Sequence, residues 1–177
     1  MSSETFDAYQ LEQREWLAQQ FDAWTTERVV LRPSEWAESK RYLPPSVTPM
    51  AGYYRFAQTP YLREIADCMS IDSPVREVSL MKGAQIGGTV GVLENTIGYL
   101  IAHVATAPAM LLTADAELAK LRLESYITPM IQFSGLEHLI KSTDEINTRK
   151  TGKTDRKIEW AGGGFLIPFG AQNANKL

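Results

Sequence analysis

Residues 78–89 read Val-Ser-Leu-Met-Lys-Gly-Ala-Gln-Ile-Gly-Gly-Thr, and this stretch constrains the fold more than any other. A short apolar run passes into a glycine-rich turn, and an apolar pattern at helical spacing follows at once. A turn that brings backbone N–H groups close to an anion needs residues with little or no side chain, and a helix start supplies unpaired donors. The usual phosphate-binding pattern is G-x-x-x-x-G-K-[ST]. With Thr89 at the hydroxyl position, Gly87 takes the second glycine, Gly88 stands where the lysine is expected, and Lys82 replaces the first glycine. The motif alone leaves two readings open. One is a nucleotide loop whose lysine has moved to the front; the other is a glycine turn beside an incidental lysine.

The flanks predict an α/β layer structure. Val75, Val78, Leu80 and Met81 form a short apolar run, expected to be a buried strand of a parallel sheet. Val90–Ile101 is apolar at helical spacing, and a second strand is predicted at Ala109–Leu112. Thr113-Ala114-Asp115-Ala116-Glu117 then opens a helix running to Ile131. Strand, loop, helix, strand, helix is the βαβα order of an open α/β domain, whose ligands bind at the carboxyl ends of the strands.

Upstream, Ala8–Trp24 reads as an amphipathic helix, with Leu11, Trp16, Leu17, Phe21 and Trp24 grouped by helical period. Ser34 is placed to cap a short helix ending at Arg41, and prolines 44, 45 and 49 mark a linker. This divides the chain into a helical arm and proline-rich linker, 1–50, and a partial α/β domain around the glycine turn, 51–177. A further helix is predicted over Pro60–Met69. Past Ile131 the chain is expected to loop. Ile146–Lys150 and Arg156–Trp160 read as paired strands around Thr151-Gly152-Lys153-Thr154, a hairpin turn rather than a second phosphate loop because its flanks are charged. Gly162-Gly163-Gly164 leads into a strand, Phe165–Phe169.

Composition excludes some classes. No apolar run reaches the roughly 18 residues of a membrane-spanning helix, and Cys68, the sole cysteine, permits no internal disulfide. A net charge of −3 argues against DNA binding by bulk charge. The basic run Lys141–Lys157 is diluted by Asp144, Glu145 and Asp155. His103 and His138 have no partner at catalytic or metal-ligand spacing and read as structural.

From about Trp36 to the last residue the sequence resembles the N-terminal ATPase region of the large terminase subunit of tailed bacteriophages, of the GpA (lambda-like) type. The marks, in order, are Trp36-Ala37-Glu38, Tyr42-Leu43-Pro44, Thr59-Pro60-Tyr61, Arg76-Glu77-Val78, Lys82-Gly83-Ala84-Gln85-Ile86-Gly87, Thr113-Ala114-Asp115-Ala116-Glu117, Gly162-Gly163-Gly164-Phe165 and Gly170-Ala171-Gln172-Asn173. That family often carries its loop lysine at the front, which favours the nucleotide reading.

The resemblance implies ATP and Mg²⁺ as ligands. Lys82 is expected to bridge the β- and γ-phosphates, Thr89 to ligate Mg²⁺, and Gly83, Ala84, Gln85, Ile86, Gly87 and Gly88 to line the phosphates. Gln85 departs from relatives that place an arginine in mid-loop, so an arginine finger is expected from elsewhere, such as a neighbouring subunit. Tyr53, Phe56 and Tyr61 are the aromatic candidates for holding adenine, with core packing as the competing role; Leu62 stands where many relatives carry a glutamine for that purpose. The whole protein would couple ATP hydrolysis to movement of double-stranded DNA into a procapsid and cut concatemeric DNA with a separate endonuclease domain. Its partners would be the small terminase subunit and the portal, in a homo-oligomeric motor in the host cytoplasm. An alternative is a partner-docking module with a vestigial loop, in which Ala8–Trp24 carries the contact; another P-loop ATPase or helicase is a third. No Asp-Glu pair closes an apolar strand here: Asp144-Glu145 follows Lys141-Ser142-Thr143. The strand bearing it is expected shortly after Leu177, so the chain reads as truncated, with little turnover of its own and an unfilled slot in its sheet.

Overall fold

The structure, a computed structural model, describes Arg14, residues 30–141 and residues 157–172. The chain divides into two compact units, Met1–Val30 and Leu31–Leu177. The predicted helix Ala8–Trp24 lies outside the described residues, as do Ile146–Lys150 and the turn at 151–154. The second unit starts upstream of the division drawn at residue 50, because the segment around Trp36 is part of its core.

Helix α1, Pro33–Lys40, begins one residue before the expected cap. Proline suits the first helical turn, where its missing N–H would have had no partner. Ser34 is therefore inside the helix rather than at its cap. Its N–H and hydroxyl donate to the two carboxylate oxygens of Asp67 at 3.0 and 2.9 Å. The cap is instead closed from Arg32, whose N–H donates to Glu35 Oε2 at 2.8 Å. Strands β1 (Tyr42–Leu43) and β2 (Gly52–Tyr53) form a small antiparallel ladder. Two 3₁₀ turns, Phe56–Gln58 and Pro60–Leu62, lead into α2, Arg63–Asp67.

The strand expected at 75–81 does not form. Val75 and Leu80 are exposed and Met81 fully so. A parallel strand is held by its ladder and by apolar cover on both faces, and among the described residues no strand lies beside this run. Its apolar character is not enough by itself.

Beyond the glycine turn, a helical run starts with a π-type segment, Thr89–Glu94, and continues as α3, Asn95–His103. Strand β3, Pro108–Thr113, follows, then a second helical run: α4 (Ala116–Arg122), a π segment (Leu123–Ile127) and α5 (Thr128–Phe133). Asp115, within the segment expected to open this helix, caps it by accepting the Leu118 N–H at 2.7 Å. Pro129 can offer no N–H to the preceding turn; the Thr128 hydroxyl donates to the Leu123 carbonyl at 2.9 Å beside it. Strands β4 (Ile158–Glu159) and β5 (Phe165–Gly170) complete a sheet of order β3-β5-β4. β3 and β5 are parallel, with Pro108 opposite Phe165 and Thr113 opposite Gly170; β4 is antiparallel to β5. Leu166 is buried in a core shared with Trp36, Phe56, Leu62, Tyr99, Met130 and Trp160.

Candidate functional site

The glycine turn is an exposed connection whose shape comes from its backbone. Gln85 has φ +57° and Gly87 has φ +79°, so two left-handed residues flank Ile86 and fold the chain back on itself. Gly87 needs its residue type for that conformation. The Gly91 N–H then donates to the Gly87 carbonyl at 2.7 Å, which fixes the turn to the start of the helix.

Gly88 is buried against the side chains of Leu80 and Lys82. A Cβ there would stand 3.0 Å from Lys82 Cδ and 3.4 Å from Lys82 Cε. The aliphatic stem of Lys82 thus passes over the position from which the lysine of a usual phosphate loop would project. Thr89, half-buried, opens the helix directly behind.

A segment from the preceding turns braces the loop. The Tyr61 hydroxyl donates to the Ile86 carbonyl at 2.9 Å, and Thr59 and Leu62 lie against Gly87. Of the three aromatic candidates, Tyr61 is the one whose described bonds reach the loop. Tyr53 stands on β2, edge-on to Tyr42 at 5.6 Å and with the Arg55 guanidinium 5.9 Å from its ring centroid. Phe56 is wholly buried, packed edge-on against Tyr54 at 4.9 Å, and has no face free for a base. Leu62 is buried too.

A mostly apolar cavity of about 200 Å³ runs along the helix flank from Thr89, the one residue of the loop that lines it, and is bounded further on by Leu93, Glu94, Leu111, Thr113 and Arg122. It is not a phosphate cradle, since Lys82–Gly88 do not line it and its walls are largely hydrocarbon. Glu94 reaches it from a buried ion pair: Arg41 Nη2 donates to Glu94 Oε2 at 2.8 Å. Burial raises the Glu94 carboxyl above its ordinary range, opposed by the Arg41 and Arg122 charges. Burial likewise lowers the Arg41 guanidinium, opposed by Glu94. Sequence reasoning passed over this pair. A lone carboxylate inside the apolar run Val90–Ile101 was the signal for it.

Among the described residues, no group of three or more His, Cys, Asp or Glu is placed to hold a metal, and no helix is long and apolar enough to cross a membrane. Lys141 and Lys157, the ends of the basic run, both pair with Glu159. The cations between them lie outside the described residues.

A parallel strand pair with a helical run following its first strand, and a glycine turn opening a neighbouring helix, places the chain among the α/β proteins whose ligands are met by loops and helix starts. The family model described as phage terminase large subunit gpA, ATPase domain, matches residues 48–177. The chain belongs to that family, and it carries the ATPase domain of a phage DNA-packaging motor. No curated protein and no solved structure matches it.

Proposed function

We propose that residues 82–89 bind the phosphates of ATP, with the ammonium of Lys82 doing the work of the lysine that Gly88 lacks. The observation that carries this is the course of the Lys82 stem over Gly88. An ammonium delivered across that position reaches the same space by a different backbone route. There it neutralises the β- and γ-phosphates and stabilises charge that spreads over the transferred group. The free N–H groups of the turn and the helix start supply the remaining donors. Thr89 fits a Mg²⁺ ligand by its place at the helix start; with one hydroxyl from the protein, the ion would take its other ligands from phosphate and water, as Mg²⁺ commonly does. Bound there, the metal would draw charge from the phosphate oxygens.

Tyr61 is the aromatic nearest this site by its bonding and the best of the three for a nucleotide contact. Gln85 offers no charge, so the cation for the transferred phosphoryl comes from another part of the motor, such as a neighbouring subunit. The whole protein couples ATP hydrolysis to translocation of double-stranded DNA into procapsids in the host cytoplasm, with the small terminase subunit and the portal as partners. An endonuclease domain cuts the DNA.

Titration calorimetry with a Mg²⁺–ATP analogue tests the loop. Lys82→Ala is expected to weaken binding more than tenfold, since a charge-assisted phosphate contact contributes about 1.5–3 kcal/mol. Lys82→Ala/Gly88→Lys, which returns the lysine to its usual place, is expected to recover part of the loss. Equal affinity of the natural chain and Lys82→Ala would sink the proposal.

A further inference from the structure

We propose that Tyr61 is a positioning residue whose phenol holds the Ile86–Gly87 peptide so that the Gly87 N–H faces the bound phosphate. This deepens the reading of residues 82–89 as a phosphate loop and rests on it. A trans peptide is planar, and its C=O and N–H point in opposite directions. Fixing the Ile86 carbonyl on one side therefore fixes the Gly87 N–H on the other. The Tyr61 hydroxyl donates to that carbonyl at 2.9 Å. It does so at the point where the backbone most needs direction, between two residues of positive φ, Gln85 and Gly87. Such a peptide has a competing orientation, reached by flipping the plane, in which the carbonyl oxygen would point at the phosphate and repel it.

The surroundings support a directed role. The Gly87 N–H donates to no group among the described residues, so it is free to meet a ligand. Thr59 and Leu62 lie against Gly87 on the side where a Cβ would project, and the Tyr54 hydroxyl lies 3.1 Å from Thr59 Oγ1. Residues 59–62 thus form a short bracket under the turn, and Tyr61 is its polar contact. Tyr61 is 55% exposed, so it is not a core residue.

The role separates from base stacking by choice of ligand. Tyr61→Phe keeps the ring and removes the donor; inorganic tripolyphosphate has phosphates and no base. Calorimetric titration of the natural chain, Tyr61→Phe and Lys82→Ala with Mg²⁺–ATP and with Mg²⁺–tripolyphosphate decides it, alongside melting temperatures. Tyr61→Phe is expected to weaken both ligands by the same factor, about three- to tenfold for one lost hydrogen bond, with Tm unchanged. Unchanged affinity for both ligands overturns the proposal. Loss confined to ATP also overturns it and assigns the phenol to the nucleoside. Affinity lost only together with several degrees of Tm assigns Tyr61 to structure. If the natural chain binds neither ligand, or binds both undiminished by Lys82→Ala, the phosphate-loop reading itself has failed and this proposal with it.

Discussion

Arg41 and Glu94 meet with almost no exposed surface on either side chain, and Arg41 Nε, Arg41 Nη1 and Glu94 Oε1 are buried without a hydrogen-bond partner among the described residues. Removing charges from water costs several kcal/mol per ion, so a pair this poorly satisfied contributes little net stability, yet breaking it is expensive. Arg41→Ala is therefore expected to destabilise the fold by about 3–5 kcal/mol, and Arg41→Met/Glu94→Gln to recover most of that, read from urea unfolding. The pH dependence follows from the raised Glu94 carboxyl. A group whose folded value is raised contributes stability below its unfolded value and loses it as pH rises through the folded one. The stability of the natural chain relative to Glu94→Gln is accordingly expected to fall as pH climbs from the usual glutamate range; a rise there would contradict the assignment. The existence of a charge in the helix was legible as Glu94 in an apolar run. Its partner, 53 residues away, was not, because sequence spacing carries no information about which turn of a folded chain faces it.

Among the elements, α1 and α3 are joined by a tight fit. A Cβ on Gly98 would stand 2.0 Å from Trp36 Cη2, so the two helices approach over the space that the glycine leaves. Trp36→Ala is expected to cost about 3–5 kcal/mol through the cavity it opens. Gly98→Ala, a far smaller change, is expected to lower stability by at least about 1–3 kcal/mol through overpacking, despite alanine's better helix propensity. A Gly98→Ala chain that melts no lower than the natural one would show that the helices can slide apart. The helical run 116–133 was readable from its period, and β3 and β5 to within a residue of their ends. The run 75–81 reads as strand on the same criteria and is not one.

At the scale of the whole unit, the sheet is covered unequally. Leu166 is buried on one face, while Met110 and Leu112 of the exposed register positions are 61% and 52% accessible. Parallel strands are ordinarily shielded on both faces, and apolar surface left open favours association. Met110→Gln/Leu112→Gln is expected to reduce concentration-dependent light scattering while leaving Tm within a few degrees. Scattering that persists unchanged would place the associating surface elsewhere.

The amino-acid sequence by itself determined the local features: the glycine turn running into a helix, the helical periods, the strands read at 109–112 and 165–169, and the family. Each depends on neighbouring residues or on motif order along the chain. Only the tertiary structure decided that Lys82 lies over Gly88, that Phe56 is core while Tyr61 is bonded to the loop, that Arg41 faces Glu94, and that 75–81 forms no ladder. Those outcomes depend on which surfaces meet, and a strand or a buried charge exists only if something distant in sequence arrives to pair with it.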